Sequence, residues 1–122
     1  MYSGSCACGA VQFELDGEPD NVSNCFCRKC QKQHGAAYAT YARFKLSSIR
    51  YVKGESVLKS YASSSFAMRR FCSECGSNVE WNGTVDNPTM SSIALACIDP
   101  PFSFGPIDSI CTDEKADWSS IP

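Results

Sequence analysis

Seven of the nine cysteines in this chain fall into three tight clusters. Cys6 and Cys8 form a C-x-C. Cys25, Cys27 and Cys30 form a C-x-C-x-x-C, and Cys72 and Cys75 form a C-x-x-C followed by Gly76. Cysteines one or two residues apart aim several thiolates at one point, the arrangement a tetrahedral zinc ion requires. The first and third clusters together supply four sulfurs, enough to close a structural site. The fold must then carry the N-terminal segment to the segment around Cys72. The middle cluster supplies three sulfurs. A zinc ion with three protein ligands keeps a position for water, a substrate thiol or one more side chain.

Other uses of these cysteines fit less well. A disulfide between Cys6 and Cys8, or between Cys25 and Cys27, would close a very small ring against the preferred bond geometry. A redox pair at Cys72 and Cys75 lacks the βαβ context it needs and leaves Cys6 and Cys8 without a role. Met1 to Cys6 carries no basic or apolar leader, and no apolar run is long enough to span a bilayer. A reducing, cytoplasmic setting is therefore expected. The formal net charge of -2 gives no electrostatic reason to expect nucleic acid or an anionic membrane as partner. At 122 residues the chain reads as one zinc-binding domain spanning 1–122, with a modest core that metal binding would reinforce. Oligomeric state is left open, and a homodimer is compatible with the sequence.

Between the clusters the pattern is that of short strands. Val11, Phe13 and Leu15 alternate with Gln12 and Glu14. Ser23 to Phe26 delivers the second cluster, and Arg28 to His34 reads as a short helix stopped by Gly35. Tyr38 to Phe44 alternates again. Ile49–Val52 and Val57–Tyr61 flank Lys53-Gly54-Glu55, which reads as a hairpin turn. Phe66 to Phe71 runs into Cys72, and Asn78–Trp81, Met90–Ile98 and Ile107–Thr112 complete the set. The expected fold class is mainly β, with at most one short helix.

Several side chains are candidates for chemistry. His34 is the lone histidine, and on a helix it shares a face with Cys30. It could complete a closed Cys3His site, act as a general base beside an open one, or simply face the helix C-terminal dipole. Arg28, Lys29, Arg69 and Arg70 adjoin the clusters. They read either as a rim for substrate carboxylates or as solvated surface that hydrogen-bonds the metal–thiolate centres, and charge runs favour the second. Cys97 and Cys111 read as small core residues, and Trp81 and Trp118 as packing anchors. A zinc ion held by three thiolates is a poor Lewis acid. It suits activating a thiol better than making hydroxide.

The string from Gly4 to Glu14, the segment Cys25-Phe26-Cys27-Arg28-Lys29-Cys30 with His34-Gly35-Ala36-Ala37-Tyr38, and the stretch Arg69-Arg70-Phe71-Cys72-Ser73-Glu74-Cys75-Gly76-Ser77 carry a resemblance. They resemble the glutathione-dependent formaldehyde-activating enzyme family, whose domain is shared with centromere protein V. The closing Thr112 to Trp118 is similar as well. The resemblance implies an Mss4-like fold of zinc-stabilised twisted β-sheets. It implies a structural zinc on Cys6, Cys8, Cys72 and Cys75, and a second, open zinc on Cys25, Cys27 and Cys30. It further implies a carbon–sulfur lyase whose small thiol partner is glutathione or a similar thiol, acting on an S-hydroxymethylglutathione-like adduct. Cys25, Cys27, Cys30 and His34 are then the expected catalytic residues. A non-enzymatic, zinc-stabilised protein-binding module is the alternative, since this architecture also hosts binders. Two positions depart from the family pattern. Phe26 replaces a histidine in the second cluster, and Ser109-Ile110-Cys111 stands where a histidine precedes an Ile–aromatic pair. Each departure removes a polar group from the expected pocket.

Overall fold

The computed structural model describes residues 1–83 and 88–119. In chain order it places β1 (Tyr2–Ser5), β2 (Gln12–Leu15), β3 (Asn21–Cys25), α1 (Arg28–His34), β4 (Ala39–Lys45) and β5 (Ile49–Lys53). There follow β6 (Leu58–Ser64), β7 (Ala67–Cys72), β8 (Asn78–Gly83), β9 (Met90–Ala94) and β10 (Asp108–Ile110). Among the described residues the structure is mainly β with one α-helix and twisted sheets, and its cysteine clusters are consistent with a zinc-stabilised Mss4-like fold. Among the described residues, no helix is long and apolar enough to cross a membrane.

Two sheets share the strands. One runs β1-β2-β5, the other β10-β3-β4-β9-β8-β7-β6. The short β10 lies parallel to β3, with Ile110 opposite Cys25, and the remaining pairs are antiparallel. The core lies between the sheets. Phe13 and Leu15 of the small sheet meet Val22, Ala42, Phe44, Val79 and Ile93 of the large one, with Cys6 and Cys72 in the same apolar cluster. A buried carboxylate also joins them. Glu80 on β8 accepts hydrogen bonds from Tyr51 on β5 at 2.5 Å, from Arg70 at 3.0 Å and from Ser91.

The expected hairpin at Lys53-Gly54-Glu55 does not form. β5 pairs with β2, placing Ile49 opposite Leu15, while β6 pairs with β7. The chain changes sheets at Gly54 instead. Alternation marks a strand and its faces, but it does not say which strand lies alongside. Gly54 has φ +76°, and a Cβ there would overlap the carbonyl oxygen of Ala10. Only glycine reconciles that backbone with so close a neighbour.

β4 is buried on both faces. Ala42 and Phe44 point into the core, while Ala39 and Tyr41 pack with Cys25, Cys30 and Ala94 on the opposite side, beneath α1. The strand therefore links the core to the second cysteine cluster.

Gly54→Ala is expected to lose more than the ~1–2 kcal/mol of a left-handed backbone position, because the overlap with Ala10 adds to it. Gly105→Ala, at φ +76° in open space, is expected to lose the backbone contribution alone. Urea denaturation of the two variants against the parent checks this, and equal losses would contradict the sheet crossing.

Candidate metal centre

Cys6 and Cys8 stand between β1 and β2, while Cys72 ends β7 and Cys75 lies just beyond it. The antiparallel sheets bring these two knuckles together. All four Sγ atoms lie within 4.8 Å of one another, with Cys6–Cys8 at 3.7 Å and Cys8–Cys72 at 3.9 Å. Each knuckle turns backbone donors onto a buried sulfur. The Val11 amide reaches Cys6 Sγ at 3.3 Å and the Glu74 amide reaches Cys72 Sγ at 3.4 Å. Gly9 and Gly76, at φ +78° and +81°, make the tight turns that allow this. Ser77 stitches the knuckles together. Its Oγ accepts from the Ala7 amide at 2.9 Å and lies 3.2 Å from Cys75 Sγ. Hydrogen bonds from Ser77, its hydroxyl first, bring the Cys75 thiol down to about 5. The pattern of cysteines gave no sign of this serine.

The second set gathers at the N-terminus of α1. Cys25 ends β3, Cys27 caps the helix, and Cys30 lies in its first turn. Their Sγ atoms also lie within 4.8 Å of one another. Cys27 Sγ accepts the Cys30 amide at 3.3 Å, so the cap fixes one candidate ligand in place. Gln31 anchors the helix. Its side-chain amide donates to the carbonyls of Phe26 at 2.7 Å and Glu114 at 2.9 Å. Glu114 also accepts the Arg28 amide at 3.1 Å, so the C-terminal segment closes over this helix end.

The two sets differ in their surroundings. Cys25, Cys27 and Cys30 line a cleft of about 690 Å³, whose walls include Tyr41, Arg69, Trp81 and Ile110. None of the four cysteines of the first set lines it. Cys30 and Cys25 of the second set are pushed in opposite directions. The hydrogen bond from Cys25, followed by the Arg69 guanidinium, holds Cys30 down at about 5 against the opposing effect of burial. Cys25, as the donor in that pair and itself buried, is pushed up.

His34 is placed one layer back. It is not in the sulfur group and does not line the cleft. Its Nε2 lies 2.8 Å from the hydroxyl of Tyr41, which does line the cleft. Burial first, and then the charge of Arg69, push His34 down to about 4. Burial, followed by the negative charge at Cys30, pushes Tyr41 up. Tyr41 was not among the sequence candidates. Its place on the cleft face of β4 follows only from which side of that strand meets α1.

Other expectations are corrected. Phe26 is 1% exposed, packs on Tyr38 and does not line the cleft, so its departure strips no polar group from the wall. Ser109 is likewise absent from the lining, which takes Ile110 and Cys111 instead. Cys111 is exposed rather than core, and Trp118 is 71% exposed rather than a packing anchor. Cys97, by contrast, packs against the core as expected, half-buried in a 3-10 turn after β9 with its Sγ 3.5 Å from the Asn78 carbonyl. Arg28 and Lys29 are exposed, but Arg69 is buried. Arg70 points the other way, onto Glu80 and the Tyr51 ring.

A model of the family described as glutathione-dependent formaldehyde-activating enzyme matches residues 1–114. An uncharacterized lyase of Schizosaccharomyces pombe is 33% identical over 78 residues, which cover 64% of this chain and 55% of that protein. The chain thus spans about half the length of that curated relative. A crystal structure of a Rhodobacter sphaeroides protein superposes with a TM-score of 0.72 at 26% identity, covering 88% of this chain and 98% of the other.

A depressed histidine has a thermodynamic signature. The unfolded chain takes up a proton at His34 once the pH falls below its ordinary value of 6.5, whereas the folded chain resists until about 4. The resulting stability is present above that window and is lost as the pH falls through it. Melting temperatures measured from pH 7.5 to 5 are expected to fall more steeply for the parent than for His34→Gln at equal metal loading. Parallel curves would contradict the buried, neutral histidine.

Proposed function

Because the chain belongs to the glutathione-dependent formaldehyde-activating enzyme family, we propose that it is a zinc-dependent carbon–sulfur lyase acting on the adduct of a small thiol with an aldehyde. The observation that carries this reading is the contrast between the two cysteine sets. One stands apart from the cleft and the other opens onto it.

The donor chemistry fits zinc. A tetrahedral ion at a Zn–S distance of ~2.3 Å separates its sulfurs by about 3.8 Å. The first set already shows separations of 3.7 and 3.9 Å. Cys6, Cys8, Cys72 and Cys75 would hold the structural ion, and Cys25, Cys27 and Cys30 the one beside the cleft. A zinc ion bound there supplies positive charge that lowers the pKa of an incoming thiol.

The chain's own residues account for the rest. In the forming direction the thiol loses its proton, sulfur attacks the carbonyl carbon, and the π electrons move to oxygen, which takes a proton. Lysis reverses each change: the hydroxyl proton leaves, the C–S bond breaks and the carbonyl returns. Tyr41 reaches the cleft with a hydroxyl hydrogen-bonded to His34, and this pair carries the proton to or from the reacting oxygen. The general-base role considered for His34 is then exercised through Tyr41. Trp81, Phe66 and Ile110 give the cleft apolar walls. Arg28 and Lys29 stand at the cleft within reach of an anionic thiol such as glutathione. The alternative, a binding module in which both metals only brace the fold, requires a sealed second cluster. The adjoining cleft speaks against it.

Cys27→Ser separates ligand from cap, because a serine hydroxyl still accepts the Cys30 amide while the thiolate is lost. Activity is followed as NMR exchange between glutathione with formaldehyde and S-hydroxymethylglutathione. The variant is expected to keep its circular dichroism and lose more than the ~100-fold that follows loss of a partner outside a coordination sphere. Undiminished turnover in the folded variant would contradict the proposal.

A further inference from the structure

The reaction proposed above leaves the placement of Arg69 unexplained. It stands in the middle of β7, is 4% exposed, and directs both Nη atoms at Cys30 Sγ, each 3.5 Å away. Its Nε is buried without a hydrogen-bond partner. Alternation along β7 sends Arg70 to the opposite face, where Glu80 and Glu55 neutralise it. Among the described residues Arg69 has no such carboxylate partner. A buried guanidinium persists only against compensating negative charge. Here that charge belongs to sulfur.

The charges match when the site is filled. A divalent ion with three thiolates carries one surplus negative charge, and Arg69 cancels it. Hydrogen bonds to a ligating sulfur also orient it and draw electron density from it. We propose that Arg69 is a positioning residue for the three-cysteine metal site, clamping the Cys30 sulfur through two N–H donors and balancing the anionic charge of the filled centre. The role rests on the functional reading that places a metal there. Lysine would keep the charge but lose the planar fork, so it is an incomplete substitute.

Cobalt(II) is a suitable probe, because its sulfur-to-metal charge-transfer band reports how tightly sulfur holds its electrons. The parent, Arg69→Gln and Arg69→Lys are titrated with cobalt and then challenged with a chelator. The parent is expected to take two equivalents. Arg69→Gln is expected to retain the four-cysteine site, bind the second equivalent about 10–100-fold more weakly, and move that site's band to longer wavelength. Arg69→Lys is expected to fall between them. A packing role alone would leave the band where it is. Two equivalents in the parent, with an unshifted band and unchanged affinity in folded Arg69→Gln, would overturn the role of Arg69. One equivalent in the parent would overturn the functional reading, and this role with it. Should Arg69→Gln fail to fold, Arg69→Lys decides the matter, and an unmoved band with undiminished second-site affinity overturns the role.

Discussion

Sulfur convergence between the two ends of the fold is the constraint on which the rest depends. Cys6 and Cys8 lie in the turn between β1 and β2 of the small sheet, and Cys72 and Cys75 at the turn between β7 and β8 of the large one. Holding the four Sγ atoms within 4.8 Å pins one sheet to the other. The apolar side chains of both sheets then have one place to go. Phe13 and Leu15 meet Phe44 and Ile93 in the space between. Metal binding to such a set is folding free energy. A chain of 122 residues, with a core this size, would gain from it. Glu80 adds a polar pin deeper in, with Tyr51, Arg70 and Ser91 satisfying its carboxylate.

The second cysteine set uses the other side of the same scaffold. β4 packs its Ala42 and Phe44 into the core and offers Tyr41 to the cleft. The strand that stabilises the molecule is thus also the strand that orients the proposed proton carrier. The helix carrying Cys30 is short, but both of its ends are held: Cys27 and Glu114 at one, Gly35 at the other. The three sulfurs therefore come from rigid elements rather than a free loop, which is what a site for chemistry requires.

Much of this was legible in the sequence because cysteine spacing and local periodicity are local signals. The three clusters and α1 from Arg28 to His34 follow from neighbours a few residues apart, and the grouping of the first cluster with the third follows from the need for four sulfurs. What escaped were facts about partners. β1 shows no alternation, because Ser3, Gly4 and Ser5 offer no apolar face to read. The turn at Gly54 looked like a hairpin because the pattern on each side was that of a strand, yet the two strands belong to different sheets. Arg69 and Arg70 looked like one surface run, and strand alternation divides them between a sulfur and a carboxylate. Tyr41 and Ser77 are ordinary residues until tertiary contacts set them beside a histidine and a cysteine knuckle.

The central claim is that three cysteines hold a zinc ion with room for a substrate thiol, beside a four-cysteine site that has none. X-ray absorption at the zinc edge of the metal-replete protein tests it directly, since the mean number of sulfur neighbours is read from the amplitude. The account expects about 3.5 sulfurs per zinc, rising toward 4 when a small thiol is added. A count fixed at four sulfurs before and after thiol addition would contradict it.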